Sequence, residues 1–99
     1  MEIKVNEIYT FKLFSGEELV TEVKEIHADH YMISHPVSIA PGQNGVQMIP
    51  SAFTLEMDKK ARLNINAITM IFVTNDAVIT SYMKATTGID VPSKKILTG

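Results

Sequence analysis

The sequence predicts an all-β fold, a small and strongly bent barrel of five or six short strands, and three observations carry the prediction. Short runs rich in β-branched residues recur from Ile8 to Tyr82 and alternate apolar with polar positions, while helical periodicity is poor. Turn residues punctuate those runs at Ser15-Gly16, at Ala28-Asp29-His30, across PGQNG (Pro41 to Gly45) and at Asn75-Asp76. The chain of 99 residues has room for a single domain, in which closing a bent sheet removes edges that would otherwise aggregate.

The elements follow in order. MEIKVNE, ahead of the first strand, reads as either a short helix or an arm. The first strand runs from Ile8 to Phe14, with Tyr9, Phe11 and Leu13 on one face and Thr10 and Lys12 on the other. The second runs from Glu18 to His27, alternating as Leu19, Thr21 and Val23 until Ile26 falls out of phase, which places a β-bulge or bend near Lys24 and Glu25. A third strand takes Tyr31 to Ile39, with Pro36 marking an edge or an irregularity, because proline cannot donate to a ladder. Val46 to Leu55 forms the next strand, interrupted at Pro50, and EMDKKAR reads as a loop or short helical turn. NAITMIFVTNDAVITSYM reads as two strand-like runs in a hairpin or sharp bend about Asn75-Asp76, since Asn and Asp tolerate left-handed backbone. Residues 84–99 read as an extended tail. Phe11, Leu13, Leu19, Val23, Ile26, Ile71, Val73 and Val78 are the expected interior.

Composition narrows the function. Hydrophobic residues make up 45% of the chain but Trp is absent and aromatics are few, so Ile, Val, Leu and Met must fill a modest core that neighbouring subunits would help complete. Without cysteine there is no disulfide, thiolate metal site or cysteine nucleophile. The N-terminus lacks the basic flank and apolar run of a signal peptide and no stretch reaches a membrane span, so a cytoplasmic protein without membrane association is expected. A formal charge of -2, with Arg62 as the single arginine, argues against a grip on duplex DNA. Lys59, Lys60 and Arg62 form one basic cluster, and Lys94 and Lys95 another; each is either a solvated loop or a local phosphate contact.

Catalytic patterns are missing. Glu17-Glu18 follows a turn and alternates in and out of a strand, which suits solubility better than acid-base work. There is neither a glycine-rich phosphate loop nor a serine in a nucleophile elbow. His27, Asp29, His30 and His35 are metal-ligating residue types, but His27 and His30 fall on opposite strand faces, so no metal site is assigned. The chain reads as a non-enzyme without cofactors.

The pattern resembles the Sm-like (LSm) family, whose members fold as a bent SH3-like barrel and assemble into RNA-binding rings. YTFKLFSGEELVTEVKEI follows the opening of the first Sm motif, with Gly16 at its turn and Val23 and Ile26 at its paired apolar positions. DHYM then supplies Asp29, His30, Tyr31 and Met32, while Ile33 stands where the family has Asn and two extra residues precede Asp29. VTNDAVIT resembles the second motif through Val73, Thr74, Asn75, Asp76, Val78 and Thr80, without its Arg and Gly. GEELVTEV and the proline-containing third strand are similar to Sm-like proteins of bacteriophages, which implies the host cytoplasm as the site of action.

The resemblance implies a homo-oligomeric ring of about five to seven subunits. It also implies weak, unselective binding of single-stranded RNA, in an RNA-chaperone or RNA-processing role. The RNA-binding candidates are Asp29, His30, Tyr31, Thr74, Asn75 and Asp76, with Lys59, Lys60 and Arg62 on phosphate. In the family the aromatic of the first motif stacks on a base, so Tyr31 is either that platform or a strand and interface residue. The alternative function is an oligomeric protein-interaction scaffold that has lost RNA binding.

Overall fold

The computed structural model describes residues 1–43, 45–56 and 58–87. Its elements are β1 (Glu7–Leu13), β2 (Glu18–Ile26), β3 (His30–Gly42), β4 (Gly45–Pro50), β5 (Ala61–Asn64), a 3-10 turn (Ile65–Ala67), β6 (Ile68–Val73) and α1 (Asp76–Thr87). All strand pairs are antiparallel, in the order β4-β3-β2-β1-β6, and β5 adds to β3 as well. β3 pairs with β2 along one edge and serves two partners on the other: its first residues pair with β5 and its last with β4. This is the predicted small, bent, mostly β fold with a helix added.

The bend in β3 has a local cause. Val20 pairs with Val37 and Glu22 with Ser34, so Thr21 stands opposite two residues, His35 and Pro36. His35 takes a left-handed φ of 51°, a conformation that non-glycine residues avoid. Thr21 Oγ1 donates to the Ser34 carbonyl at 2.7 Å, and the Tyr82 hydroxyl of α1 donates to the carbonyls of Ser34 (3.1 Å) and His35 (2.9 Å). A second register shift falls between Val23 and Glu25, at the bend expected from the phase slip of Ile26. Pro50 ends β4, so that strand stops short of Leu55.

Both sheet faces are covered. Tyr9, Phe11, Leu19, Val23, Tyr31, Ile33 and Leu63 form the barrel interior, with Ile3, Leu13, Ile68 and Ile71 packed on it. On the other face α1 lays Tyr82 and Val78 over Val20, Val37, Ile8, Ile39 and Met48. Thr10 and Thr21 are both buried, and Thr10 Oγ1 shares a 2.8 Å hydrogen bond with Thr74 Oγ1.

Several expectations are corrected. The run after Asn75 is a helix, because Asn75 caps it: its Oδ1 accepts from Val78 N at 2.9 Å, and Val78 and Tyr82, four residues apart, meet the sheet together. Ile26 and Val73, the last residues of β2 and β6, are exposed rather than interior. Ala61–Asn64, placed in or beside the charged loop, pairs with β3 as a strand. Residues 84–87 continue α1 instead of starting a tail, and the remainder of that tail, with Lys94 and Lys95, lies outside the described residues. Of the two readings for the N-terminal segment the arm is found: Ile3 packs on the core, Lys4 N donates to the Tyr9 hydroxyl at 2.9 Å, and Asn6 N to the Val23 carbonyl at 2.6 Å.

Candidate functional site

Two turns meet at one end of β3. His27 N donates to the His30 carbonyl at 2.9 Å, closing the turn between β2 and β3, and Ile65 N donates to the Asp29 carbonyl at 3.0 Å, fastening the 3-10 turn beside it. Pairing of β5 with β3 sets His30 opposite Asn64, Tyr31 opposite Leu63 and Met32 opposite Arg62. Strand alternation then sends Tyr31 and Leu63 into the core and leaves Arg62 and Asn64 exposed, with His30 half-buried at the surface. Asp29, Arg62, Asn64, Ile65 and Asn66 line a shallow open cleft.

A chain of polar contacts orders this rim. The His27 and His30 rings stack with centroids 4.4 Å apart and planes 12° from parallel. Because an ionised carboxylate can only accept, His30 Nδ1 donates to Asp29 Oδ1 at 2.6 Å and His27 Nε2 donates to Glu25 Oε1 at 2.9 Å. Arg62 reaches Asp29 Oδ2 at 3.3 Å and, through Nε, Asn64 Oδ1 at 2.8 Å, while Lys60 holds the other Glu25 oxygen. Asn64 has its oxygen engaged and its NH2 donors without a partner among the described residues, and Asn66 makes no side-chain hydrogen bond to another described residue.

These bonds keep both acids ionised. Hydrogen bonding from Lys60, then from His27, holds the Glu25 carboxyl down at about 2 from an ordinary 4.5. Asp29 is also held below its ordinary value, first by His30 and then by the Arg62 charge. A depressed carboxylate pKa contributes stability above the unfolded-state value and loses it as pH falls through the folded one, so for Glu25 the loss runs from about 4.5 down to about 2. Carboxyl NMR should place the Glu25 midpoint near 2, and Lys60→Ala should return it toward 4.5. A wild-type midpoint at the ordinary value would refute the network.

Of the sequence candidates, Asp29, His30, Lys60 and Arg62 are brought together here. Lys59 is exposed and takes no part in the contacts. Tyr31 is 8% exposed with its ring 5.6 Å from that of Phe11, so it is a core residue and offers no surface for stacking. Thr74 is buried on Thr10, and Asn75 and Asp76 open α1, lining none of the Asp29 cleft. Glu25, Asn64 and Asn66 join the site without having been candidates from the sequence; the signal for the asparagines is the alternating run Leu63-Asn64-Ile65-Asn66, an Asn-flanked turn before a strand.

Among the described residues no group of three or more His, Cys, Asp or Glu side chains could hold a metal ion. His35 lines a separate, largely apolar cavity of about 140 Å³ with Val37, Met48, Pro50, Leu55 and Ala85. No helix among the described residues is long and apolar enough to cross a membrane.

No family model matches the chain, and no curated protein sequence matches it. Among solved structures, a chain from one described as "Crystal structure of the NatC complex bound to CoA" is similar at a TM-score of 0.49 and 12% identity, over 83% of this chain and 99% of that one.

Proposed function

We propose that the chain is an Sm-like, ring-forming protein that binds single-stranded RNA weakly, with the base-contacting surface at the cleft of Asp29, Arg62, Asn64 and Asn66. One observation carries this reading: a stack of two imidazole rings, His27 half-exposed and His30 mostly buried, stands beside a guanidinium and two amides that line an open cleft. An exposed ring accepts any base by stacking, for about 1–3 kcal/mol per base in good cases, with imidazole at the low end. The amides add hydrogen bonds to base edges. Ile33, standing where the family has its Asn, is buried in the barrel and reads nothing. With the imidazoles neutral, Lys60 and Arg62 are balanced by Glu25 and Asp29, so long-range attraction is small and binding is weak.

Ring assembly is supported by the two strands that end the sheet. β4 and β6 each pair on one side only among the described residues, and β6 exposes Met70 and Val73, at 55% and 67%. Pairing one edge with a different edge of the next subunit closes a ring when the rotation allows, here of about five to seven copies. Several weak clefts on one ring then add through multivalency. The same exposed edge favours the second reading, an interaction scaffold without RNA.

Fluorescence anisotropy with U-rich, A-rich and mixed oligoribonucleotides at low salt tests the choice. Binding with little base preference is expected, reduced about tenfold by Asn64→Ala combined with Asn66→Ala, a loss of order 1.4 kcal/mol. No binding to any of the three would leave the scaffold reading, and light scattering that found only monomer would remove the ring.

A further inference from the structure

We propose that protonation of the stacked His27–His30 pair turns the cleft rim from charge-balanced to doubly cationic and so makes RNA binding acid-strengthened. The inference rests on the RNA reading and adds a regulation of the same site. It follows from the contacts of the two rings. Each already donates one ring N–H to a carboxylate, His27 to Glu25 and His30 to Asp29, and each of those carboxylates also holds a cation, Lys60 or Arg62.

The charged groups facing the pair are therefore Glu25 from β2, Asp29 from the turn, Lys60 from the loop before β5 and Arg62 from β5. Two cations meet two carboxylates while the imidazoles are neutral. Adding a proton to each ring gives four cations against the same two carboxylates, which stay ionised in the range where imidazole changes charge. Asp58 and Lys59, nearby in sequence, form no ion pair with either ring. Protonation adds more than charge. In the neutral rings the second nitrogen, Nδ1 of His27 and Nε2 of His30, is an acceptor and is repelled by a phosphate; protonated, it becomes a donor to one. His27, with 45% of its side chain exposed against 15% for His30, is the more open of the two. Two stacked rings, each tied to a carboxylate of the rim, can add two positive charges beside the cleft without a change of fold.

Anisotropy of a labelled mixed oligoribonucleotide, measured from about pH 8 to about pH 5.5 at fixed ionic strength, spans the imidazole range. Affinity should rise on the order of tenfold, and two added contacts on a single strand should make a fourfold rise in salt cost about sevenfold more at the acid end than at the neutral end. His27→Asn with His30→Asn should abolish the pH dependence. His35→Asn, whose Asn tolerates the left-handed backbone there, should keep it.

RNA binding that does not change with pH, or a pH dependence that survives in the double variant, overturns the inference and leaves the RNA reading standing. If no oligoribonucleotide binds at any pH, the RNA reading fails. Inorganic polyphosphate, an anion without bases, then decides the switch. A gain on acidification that the double variant lacks sustains it, and no gain overturns it.

Discussion

Phe11→Ala is expected to cost about 3–5 kcal/mol of folding stability, the range for deleting a fully buried aromatic ring. Phe11 is 0% exposed, paired with Leu19 of β2 on one side and with Ile71 of β6 on the other, and its ring lies 5.6 Å from that of Tyr31. Three strands and the start of β3 thus close on one side chain, and none can move in to fill its place without breaking register. Domains of this size hold about 5–15 kcal/mol in total, so the variant should sit near the edge of folding, with a melting temperature lower by on the order of 20 °C. Urea unfolding followed by circular dichroism measures the loss. A cost below about 1 kcal/mol would mean that the barrel closes elsewhere. The substitution also reaches the candidate site, because Tyr31 follows His30 on β3: a slack Tyr31 loosens the seat of the imidazole pair.

What the sequence made legible divides along one physical line, local pattern against long-range pairing. Alternation of Phe11 against Leu19 and Val23 named three of the seven buried residues of the barrel interior, since a strand with one face in a core must alternate. The slip at Ile26 named the bulge, because an extra residue shifts phase wherever it occurs. The helix was hidden. Val78, Ile79 and Thr80 are β-branched and read as strand, and a capping Asn with apolar residues four apart decides the matter only once a sheet face waits to receive them. That same unseen helix is why Thr10, read only as lying on the face opposite Phe11, turns out to be buried.

The site was legible in its parts and not in its assembly. Asp29, His30, Lys60 and Arg62 stood out as polar residues near turns, but their meeting depends on the pairing of β5 with β3, about which no short window carries information. The exchange of Tyr31 for His30 as the surface aromatic is a matter of parity. A strand sends successive residues to opposite faces, and the pairing of Tyr31 with Leu63 fixes which of the two goes inward.

Tyr82→Ala is expected to cost about 3–4 kcal/mol and to take the helix with it. Tyr82 is 2% exposed, the largest side chain between α1 and the sheet, and its hydroxyl fastens the His35 bulge through two carbonyls. A helix of 12 residues is marginal on its own in water, so without this anchor the ellipticity at 222 nm should fall and the uncovered Val20, Val37 and Met48 face should bind a hydrophobic dye. Tyr82→Phe separates the ring from the hydroxyl: it should cost only about 1–1.5 kcal/mol, because the Ser34 carbonyl keeps its bond from Thr21 and only that of His35 is left without its tyrosine donor. Burial also pushes the Tyr82 hydroxyl up to about 12 from 10.0. A raised pKa favours the protonated form in the fold, so this contribution is present below about 10 and is lost as pH rises toward about 12; the Phe variant should lack that alkaline loss. If Tyr82→Ala instead removes the helix while the sheet unfolds at an unchanged urea concentration, α1 is an accessory to a self-sufficient barrel. If both are lost together, the helix is the second half of the core, and the bulge it clamps belongs to the same cooperative unit as the strand that begins at His30.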